Sequence, residues 1–311
     1  MMNIAFLFPG QGAQTPGFLH RLPTHPAIAA TLDEAGAVLG MDARTLDTEA
    51  ALTSTVAVQL SGLISGIAVM RALNAEGVEA DAVAGLSSGA YAAAVACGAL
   101  DFATALPLLK LRAELMESAY PHGFGLAALV GLDEARVVRL IDEIDTGGQP
   151  LYIANLNAPT QIVLAGSDAA LEVGIEAAKH AGARKAQKMA VSVPSHCALM
   201  DDVAARLSEA VARVEIARPR IPYVGNVGAR VLREPQDIGR DLSTNVAHTV
   251  RWYDSMTVLY EMGVRYFFES PPGTVLTGLI HESFDDVKAR SLTDTPIETI
   301  VYLARRARSQ E

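Results

Sequence analysis

Short apolar runs alternate along the chain with longer stretches in which apolar residues recur every three or four positions. Residues 3–8 (Asn-Ile-Ala-Phe-Leu-Phe) stop at Pro9-Gly10-Gln11-Gly12, which predicts a buried first strand running into a glycine loop. Residues 56–76 predict a helix with a polar end, 81–86 a second buried strand, 89–97 an Ala-rich helix and 106–119 another helix. The texture changes after Pro121-His122-Gly123. From there the pattern reads strand (126–130), helix (133–144), strand (151–155), strand (161–166), helix (168–181) and strand (184–190), the ferredoxin-like order. Val191-Ser192-Val193 predicts a strand returning the chain to the larger unit. Leu199, Val203, Leu207, Val211 and Val214 then repeat at helical spacing from a start near Pro194-Ser195. Residues 221–227 predict a strand, 252–262 a helix and 266–269 the last core strand, closed by Pro271-Pro272-Gly273; Arg305, Arg306 and Arg308 read as a frayed basic end.

This order predicts an α/β fold. Residues 1–122 and 191–311 form a large unit around a parallel sheet, and 123–190 a small inserted ferredoxin-like subdomain. A chain of 311 residues suffices for both, and at that length about 75% of the unfolded surface can be buried without a metal or disulfide staple. Half of the residues are apolar but only 5% are aromatic, so the core must be built from Ala, Val, Leu and Ile. The net charge of -10 speaks against nucleic acid as a partner. Two cysteines, Cys97 and Cys197, lack metal-ligand spacing and fit a reducing cytoplasm. Residues 1–8 have no basic stretch ahead of the apolar run and read as a strand, not a signal peptide. Residues 82–100 carry no charge, close to the roughly 20 apolar residues of a membrane span. They contain eight Ala, three Gly and two Ser around a turn signal, so a buried strand-turn-helix is expected and no membrane.

That turn signal is Gly85-Leu86-Ser87-Ser88-Gly89. It fits G-x-S-x-G between a predicted strand and a predicted helix, the setting of a nucleophile elbow that exposes the Ser87 hydroxyl. The helix start would aim the Ser88 N–H at an oxyanion formed beside Ser87. Of seven histidines, His196 stands out, in Ser192-Val193-Pro194-Ser195-His196, where a strand is expected to pass into a helix. A general base and an ordinary buried histidine are both compatible with that place. Cys197 beside it reads as a small core residue, since successive helical residues point ~100° apart. Gln11 lies between two glycines that leave its N–H accessible for a second oxyanion donor, or for an ordinary turn. Arg112 sits beside the apolar face of its helix and needs a carboxylate, either from the protein or from a substrate.

Five motifs in order resemble the malonyl-CoA:acyl-carrier-protein transacylase family over nearly the whole chain, from Phe8 to about Leu279. They are Phe8-Pro9-Gly10-Gln11-Gly12-Ala13-Gln14, Gly85-Leu86-Ser87-Ser88-Gly89, Leu111-Arg112-Ala113-Glu114-Leu115-Met116, Ser192-Val193-Pro194-Ser195-His196-Cys197-Ala198-Leu199-Met200, and Pro272-Gly273-Thr274-Val275-Leu276-Thr277-Gly278-Leu279. The resemblance implies an α/β-hydrolase-like core and a serine acyltransferase with no permanently bound cofactor and no metal. Ser87 would carry the acyl group and His196 act as general base. Arg112 would pair with the malonyl carboxylate, the amides of Gln11 and Ser88 would form the oxyanion hole, and the backbone carbonyl of Asn245 would orient the histidine. Malonyl-CoA would be the donor and an acyl carrier protein with a phosphopantetheine-type arm the acceptor.

The family usually reads Gly-His-Ser-x-Gly-Glu, whereas Leu86 and Ala90 stand here. With 245–252 (Asn-Val-Ala-His-Thr-Val-Arg-Trp), this resembles the malonyltransferase (epsilon) subunit of bacterial malonate decarboxylase, whose carrier subunit bears a phosphoribosyl-dephospho-CoA arm. The alternatives are a transacylase of fatty acid synthesis, a thioesterase-type serine hydrolase and a non-catalytic scaffold. Arg184, Lys185 and Lys188 form the densest basic cluster in the body of the chain, which suits CoA phosphates, an acidic carrier or simply a solvated strand edge.

Overall fold

The computed structural model describes residues 3–309; Met1 and Met2, included in the expected first strand, lie outside them. The chain begins with β1 (Ile4–Phe8), α1 (Pro26–Leu39), α2 (Thr55–Ala75), β2 (Ala82–Gly85), α3 (Gly89–Ala96) and α4 (Phe102–Ala119). It continues through β3 (Phe124–Val130), α5 (Glu134–Glu143), β4 (Leu151–Ala158), β5 (Gln161–Ser167), α6 (Asp168–His180) and β6 (Lys185–Lys188). The last part holds α7 (Asp201–Val211), β7 (Tyr223–Val224), β8 (Val231–Leu232), α8 (Pro235–Thr244), α9 (Trp252–Glu261), β9 (Tyr266–Glu269), α10 (Val275–Ser283), β10 (Lys288–Ser291) and α11 (Ile297–Ser309).

The large sheet has the order β10-β9-β1-β2-β7-β8. Its first five strands are parallel, and only the β7–β8 pair is antiparallel. All five residues of β1 are buried, as expected of a parallel strand covered on both faces. The two faces differ in size. Ile4, Phe6 and Phe8 join Val83, Tyr266 and Phe268 in a core with α1 to α4. Ala5 and Leu7 join Ala82, Ala84 and Phe267 against Trp252, Met256 and Leu259 of α9. Period-two alternation along the strands thus assigns Phe6 and Phe8 of β1 to one face and the smaller Ala5 and Leu7 to the other.

The small sheet is wholly antiparallel in the order β4-β5-β3-β6, and α5 and α6 pack on one face over a separate core that includes Leu129, Val137, Leu164 and Leu171. This is the ferredoxin-like arrangement expected from the sequence. The opposite face, with Leu126, Val163 and Ala165, packs on Cys197. Backbone bonds from Leu156 N–H to Val250 O and from Val250 N–H to Ala154 O, each 2.9 Å, tie β4 to the large unit.

Several elements differ from the sequence reading. The helix expected from 106 begins at Phe102, because Asp101 accepts hydrogen bonds from the N–H groups of Ala103 and Thr104 and so caps it six residues ahead of Pro107. The expected strand at 191–193 is irregular, and the helix expected from Pro194 starts only at Asp201 after a single 3-10 turn. The strand expected over 221–227 spans only Tyr223–Val224 before the chain turns into β8. Residues 266–269 are not the last core strand: β10 extends the sheet beyond them. Arg305, Arg306 and Arg308 belong to α11, and Arg308 pairs with Asp81 at 2.7 Å. The stretch 82–100 divides into β2, the turn and α3. The helix long and apolar enough to cross a membrane is α2, but 72% of its apolar window is buried in the protein core.

Candidate active site

β1 and β2 run parallel with Phe8 level with Gly85, so the loops that follow them emerge side by side. Sites in open parallel sheets form at such carboxyl ends. The turn after β2 is tight enough to demand its glycines. A Cβ on Gly85 would lie 2.0 Å from Gly89 O, and one on Gly89 2.1 Å from Phe8 O. Between them Ser87 adopts φ 56°. Asn226, at the end of β7, clamps the turn: its Oδ1 accepts from Ser87 N–H at 2.8 Å and its Nδ2 donates to Gly85 O at 3.0 Å. Asp241 of α8 holds Asn226 in turn, accepting from its backbone N–H at 2.8 Å and from the Tyr223 hydroxyl at 2.9 Å. Burial pushes the Asp241 carboxyl up, and these donors pull it back only in part.

His196 comes from the irregular segment between the small unit and α7, with φ 67°. Among the described residues, three non-glycine residues have positive φ, and two of them are Ser87 and His196. Such backbone costs on the order of 1–3 kcal/mol per residue and persists where the surroundings enforce it. Here His196 N–H donates to Val246 O at 2.6 Å, and Nδ1 lies 2.7 Å from Asn245 O. A carbonyl only accepts, so Nδ1 carries the proton and Nε2 is left with a lone pair. Nε2 lies 2.7 Å from Ser87 Oγ. Burial, and after it the charge on Arg112, lowers the imidazole pKa to about 4, against the opposing effect of the Asn245 and His248 backbone contacts. His196 is therefore neutral at neutral pH.

Arg112, on α4, is 0% exposed. Its Nη1 donates to Gln59 Oε1 at 2.8 Å, and its Nη2 to Ser87 Oγ at 3.1 Å and Asn245 Oδ1 at 3.3 Å. Among the described residues no carboxylate pairs with it, and Nε has no partner. Burial lowers its pKa to about 10, so it stays charged. Of the two partners left open by the sequence, a protein carboxylate is absent from this cation among the described residues.

Gln11 follows β1, and its Oε1 accepts from Gln59 Nε2 at 3.3 Å. Gln14 shapes the loop by accepting from the N–H groups of Gly12 and Ala13. Ser88 stands at the N-terminal boundary of α3 directly after Ser87, without a side-chain capping bond. Ser87, Ser88, His196, Arg112, Asn245 and the Gln11 loop thus converge. Arg184, Lys185 and Lys188 do not join them. They lie exposed at the β6 edge, where Lys188 pairs with Asp168 at 2.7 Å. Cys197 is buried, as expected, but in an irregular segment and not on a helix.

The sequence reading missed Gln59, Asn226 and Asp241. Gln59 had a weak signal as an amide in the uncharged first turns of α2; Asn226 and Asp241 had none, since their partners lie far away in sequence. Two cavities lie near the site residues, one lined by His196 and the other by Gln11. One of about 480 Å³ is lined by Val138, Ile141, Tyr152, His196, Cys197 and His248. The other, of about 240 Å³, is lined by residues including Gln11, Thr55, Val191 and Ser192. Among the described residues no group of three or more His, Cys, Asp or Glu could hold a metal ion.

Residues 5–308 match the acyl transferase domain family. The chain is 36% identical over 300 residues to the malonyl CoA-acyl carrier protein transacylase of Escherichia coli (strain K12), covering 94% of this chain and 97% of that protein. It superposes on the Coxiella burnetii malonyl CoA-acyl carrier protein transacylase with a TM-score of 0.92, at 32% identity and 98% coverage of both chains. A type II PKS acyl-carrier protein in complex with its malonyl-transacylase gives a TM-score of 0.91 at 35% identity, with 96% of this chain and 98% of that chain covered. With Ser87 in the turn after β2 lying 2.7 Å from His196 and a match running from β1 into α11, the chain belongs to the acyl transferase family, among the malonyl CoA-acyl carrier protein transacylases.

Proposed function

We propose that the protein transfers a malonyl group from malonyl-CoA, through an ester on Ser87, to the thiol of a phosphopantetheine arm on an acyl carrier protein. The observation that carries this reading is the Ser87 hydroxyl held by two groups, His196 Nε2 at 2.7 Å and Arg112 Nη2 at 3.1 Å. His196 takes the Ser87 proton as Oγ attacks the thioester carbon. The N–H groups of Gln11 and Ser88 hold the oxyanion, each at a contribution of about 2.7–4 kcal/mol by comparison with other oxyanion donors. The C–S bond breaks, and CoA leaves with the proton from His196. The carrier thiol then gives its proton to His196, attacks the ester and regenerates Ser87. The Asn245 carbonyl keeps Nδ1 protonated throughout, so no acidic third member is required. Arg112 takes the distal carboxylate, which an acetyl group lacks.

The relatives favour a carrier of the fatty-acid-synthesis or polyketide kind over the malonate decarboxylase carrier expected from the sequence. The second reading rests on Leu86, Ala90 and the segment 245–252. Offering purified malonyl-enzyme to both carriers decides between them. Faster transfer to the phosphopantetheine carrier supports the main reading, and faster transfer to the phosphoribosyl-dephospho-CoA carrier reinstates the other. Malonyl-CoA that is only hydrolysed, with neither carrier acylated, would point to a hydrolase.

A further inference from the structure

Beside the reacting pair lie two buried donors that the transfer chemistry leaves unused. Asn245 is 0% exposed and acts at two points. Its backbone carbonyl holds His196, while its side-chain Oδ1 accepts from Arg112 Nη2 at 3.3 Å. A guanidinium only donates, so the amide oxygen must face Arg112, and this fixes Nδ2 as the other arm of the amide. Asn245 Nδ2 and Arg112 Nε are both buried without a hydrogen-bond partner among the described residues. Buried donors are almost always paired, so two orphans around one desolvated cation mark the place of a missing acceptor.

The orientation of the cation specifies that acceptor. Gln59 Oε1 accepts from Nη1 at 2.8 Å, Nη2 donates to Ser87 Oγ at 3.1 Å and to Asn245 Oδ1 at 3.3 Å, and Nε is left without a partner, so a carboxylate on the Nε–Nη2 edge takes up Nε and replaces the Ser87 bond at Nη2. This edge presents two parallel N–H groups, the spacing a carboxylate takes up bidentately. Because Oδ1 of Asn245 sits against Nη2, a carboxylate oxygen on Nη2 is also within reach of Nδ2.

We propose that the Asn245 side-chain amide is a specificity-determining group, with Nδ2 donating to the free carboxylate of the acyl group alongside Nε and Nη2 of Arg112. This rests on the malonyl-transfer reading and adds a third donor to it. The site then selects an acyl group that offers only acceptors at that position.

Asn245→Ala keeps the backbone carbonyl and removes the amide. Asn245→Asp is nearly isosteric, replaces the donor by a negative charge, and carries the test if the alanine variant does not fold. The readout is the malonyl-to-acetyl ratio of kcat/KM for acylation of Ser87. Each rate is normalised to Ser87 labelling by a fluorophosphonate, which needs the Ser-His pair and not the carboxylate site. Loss of one hydrogen bond to a charged group lowers this ratio by about 10- to 100-fold in Asn245→Ala, and by at least as much in Asn245→Asp. A ratio unchanged in both variants, with malonyl and acetyl rates falling together, overturns the proposal and leaves Asn245 as a positioning residue for His196. A wild-type chain that malonyl-CoA does not acylate overturns the parent reading, and this one with it.

Discussion

Arg112→Ala removes the one fully buried cation beside Ser87. In the wild type its Nε–Nη2 edge faces no protein carboxylate among the described residues, so a malonyl carboxylate would form two charge-assisted hydrogen bonds there, a new one at Nε and one at Nη2 that replaces its bond to the neutral Ser87 hydroxyl. At about 1.5–3 kcal/mol each, their loss amounts to roughly 3–6 kcal/mol. That corresponds to a fall on the order of 10²- to 10⁴-fold in kcat/KM for malonyl-CoA. Acetyl-CoA never makes these bonds and leaves the cation unpaired, so its rate should fall far less, and the preference between the two should collapse. A second effect accompanies the first. The Arg112 charge is, after burial, the next cause holding His196 near 4. Removing it raises the imidazole pKa, and the acid limb of kcat/KM for the free enzyme moves to higher pH. Rapid-quench acylation of Ser87 by each thioester, read by intact mass from about pH 4 to pH 8, measures both effects. An unchanged malonyl-to-acetyl ratio, or an acid limb that moves down, would refute the reasoning.

His196 also links stability to pH. Its folded pKa of about 4 lies below the 6.5 of a free imidazole, so the folded state resists protonation, and stability present above pH 6.5 is lost as the pH falls toward 4. The full effect is on the order of 3 kcal/mol; His196→Gln should lose less stability than wild type between those limits in urea unfolding, and an equal loss sinks the assignment. Asn226→Ala strands the Ser87 N–H and the Gly85 carbonyl and removes one donor, Nδ2, from Asp241 while its backbone N–H stays, at a cost of about 1–3 kcal/mol. Malonyl and acetyl transfer should drop together in that variant, and a changed ratio between them would contradict a clamp on the turn alone. Gly89→Ala drives a methyl group into Phe8 O at 2.1 Å; we expect a loss of about 4 kcal/mol or more, and a thermal midpoint near that of wild type would show that the turn can relax.

Much of the site was legible because its signals are local. Apolar runs ended by glycine locate β1 and β2 whatever surrounds them, since a strand buried on both faces must be apolar throughout. Gly85 and Gly89 are readable because a turn this sharp excludes any Cβ, a constraint written into five consecutive residues. The ferredoxin-like order was legible for a similar reason: each of its elements declares its own period, and that order pairs antiparallel with few alternatives. Residues that act at a distance in sequence left no such trace. Asn226 is 139 residues from Ser87, and Asn245 is 49 from His196. Their roles exist only once the sheet brings β2, β7 and the end of α8 together. The helix expected to carry His196 failed for the same reason. Its periodicity is real from Val203 onward, but the preceding residues obey the Val246 and Asn245 carbonyls and not their own helical propensity. Sequence by itself determined the strands, the turn and the residue types of the chemistry, because these depend on neighbours along the chain. Tertiary structure alone decided that Arg112 has no carboxylate of its own and that His196 is neutral, because burial and charge depend on neighbours in space.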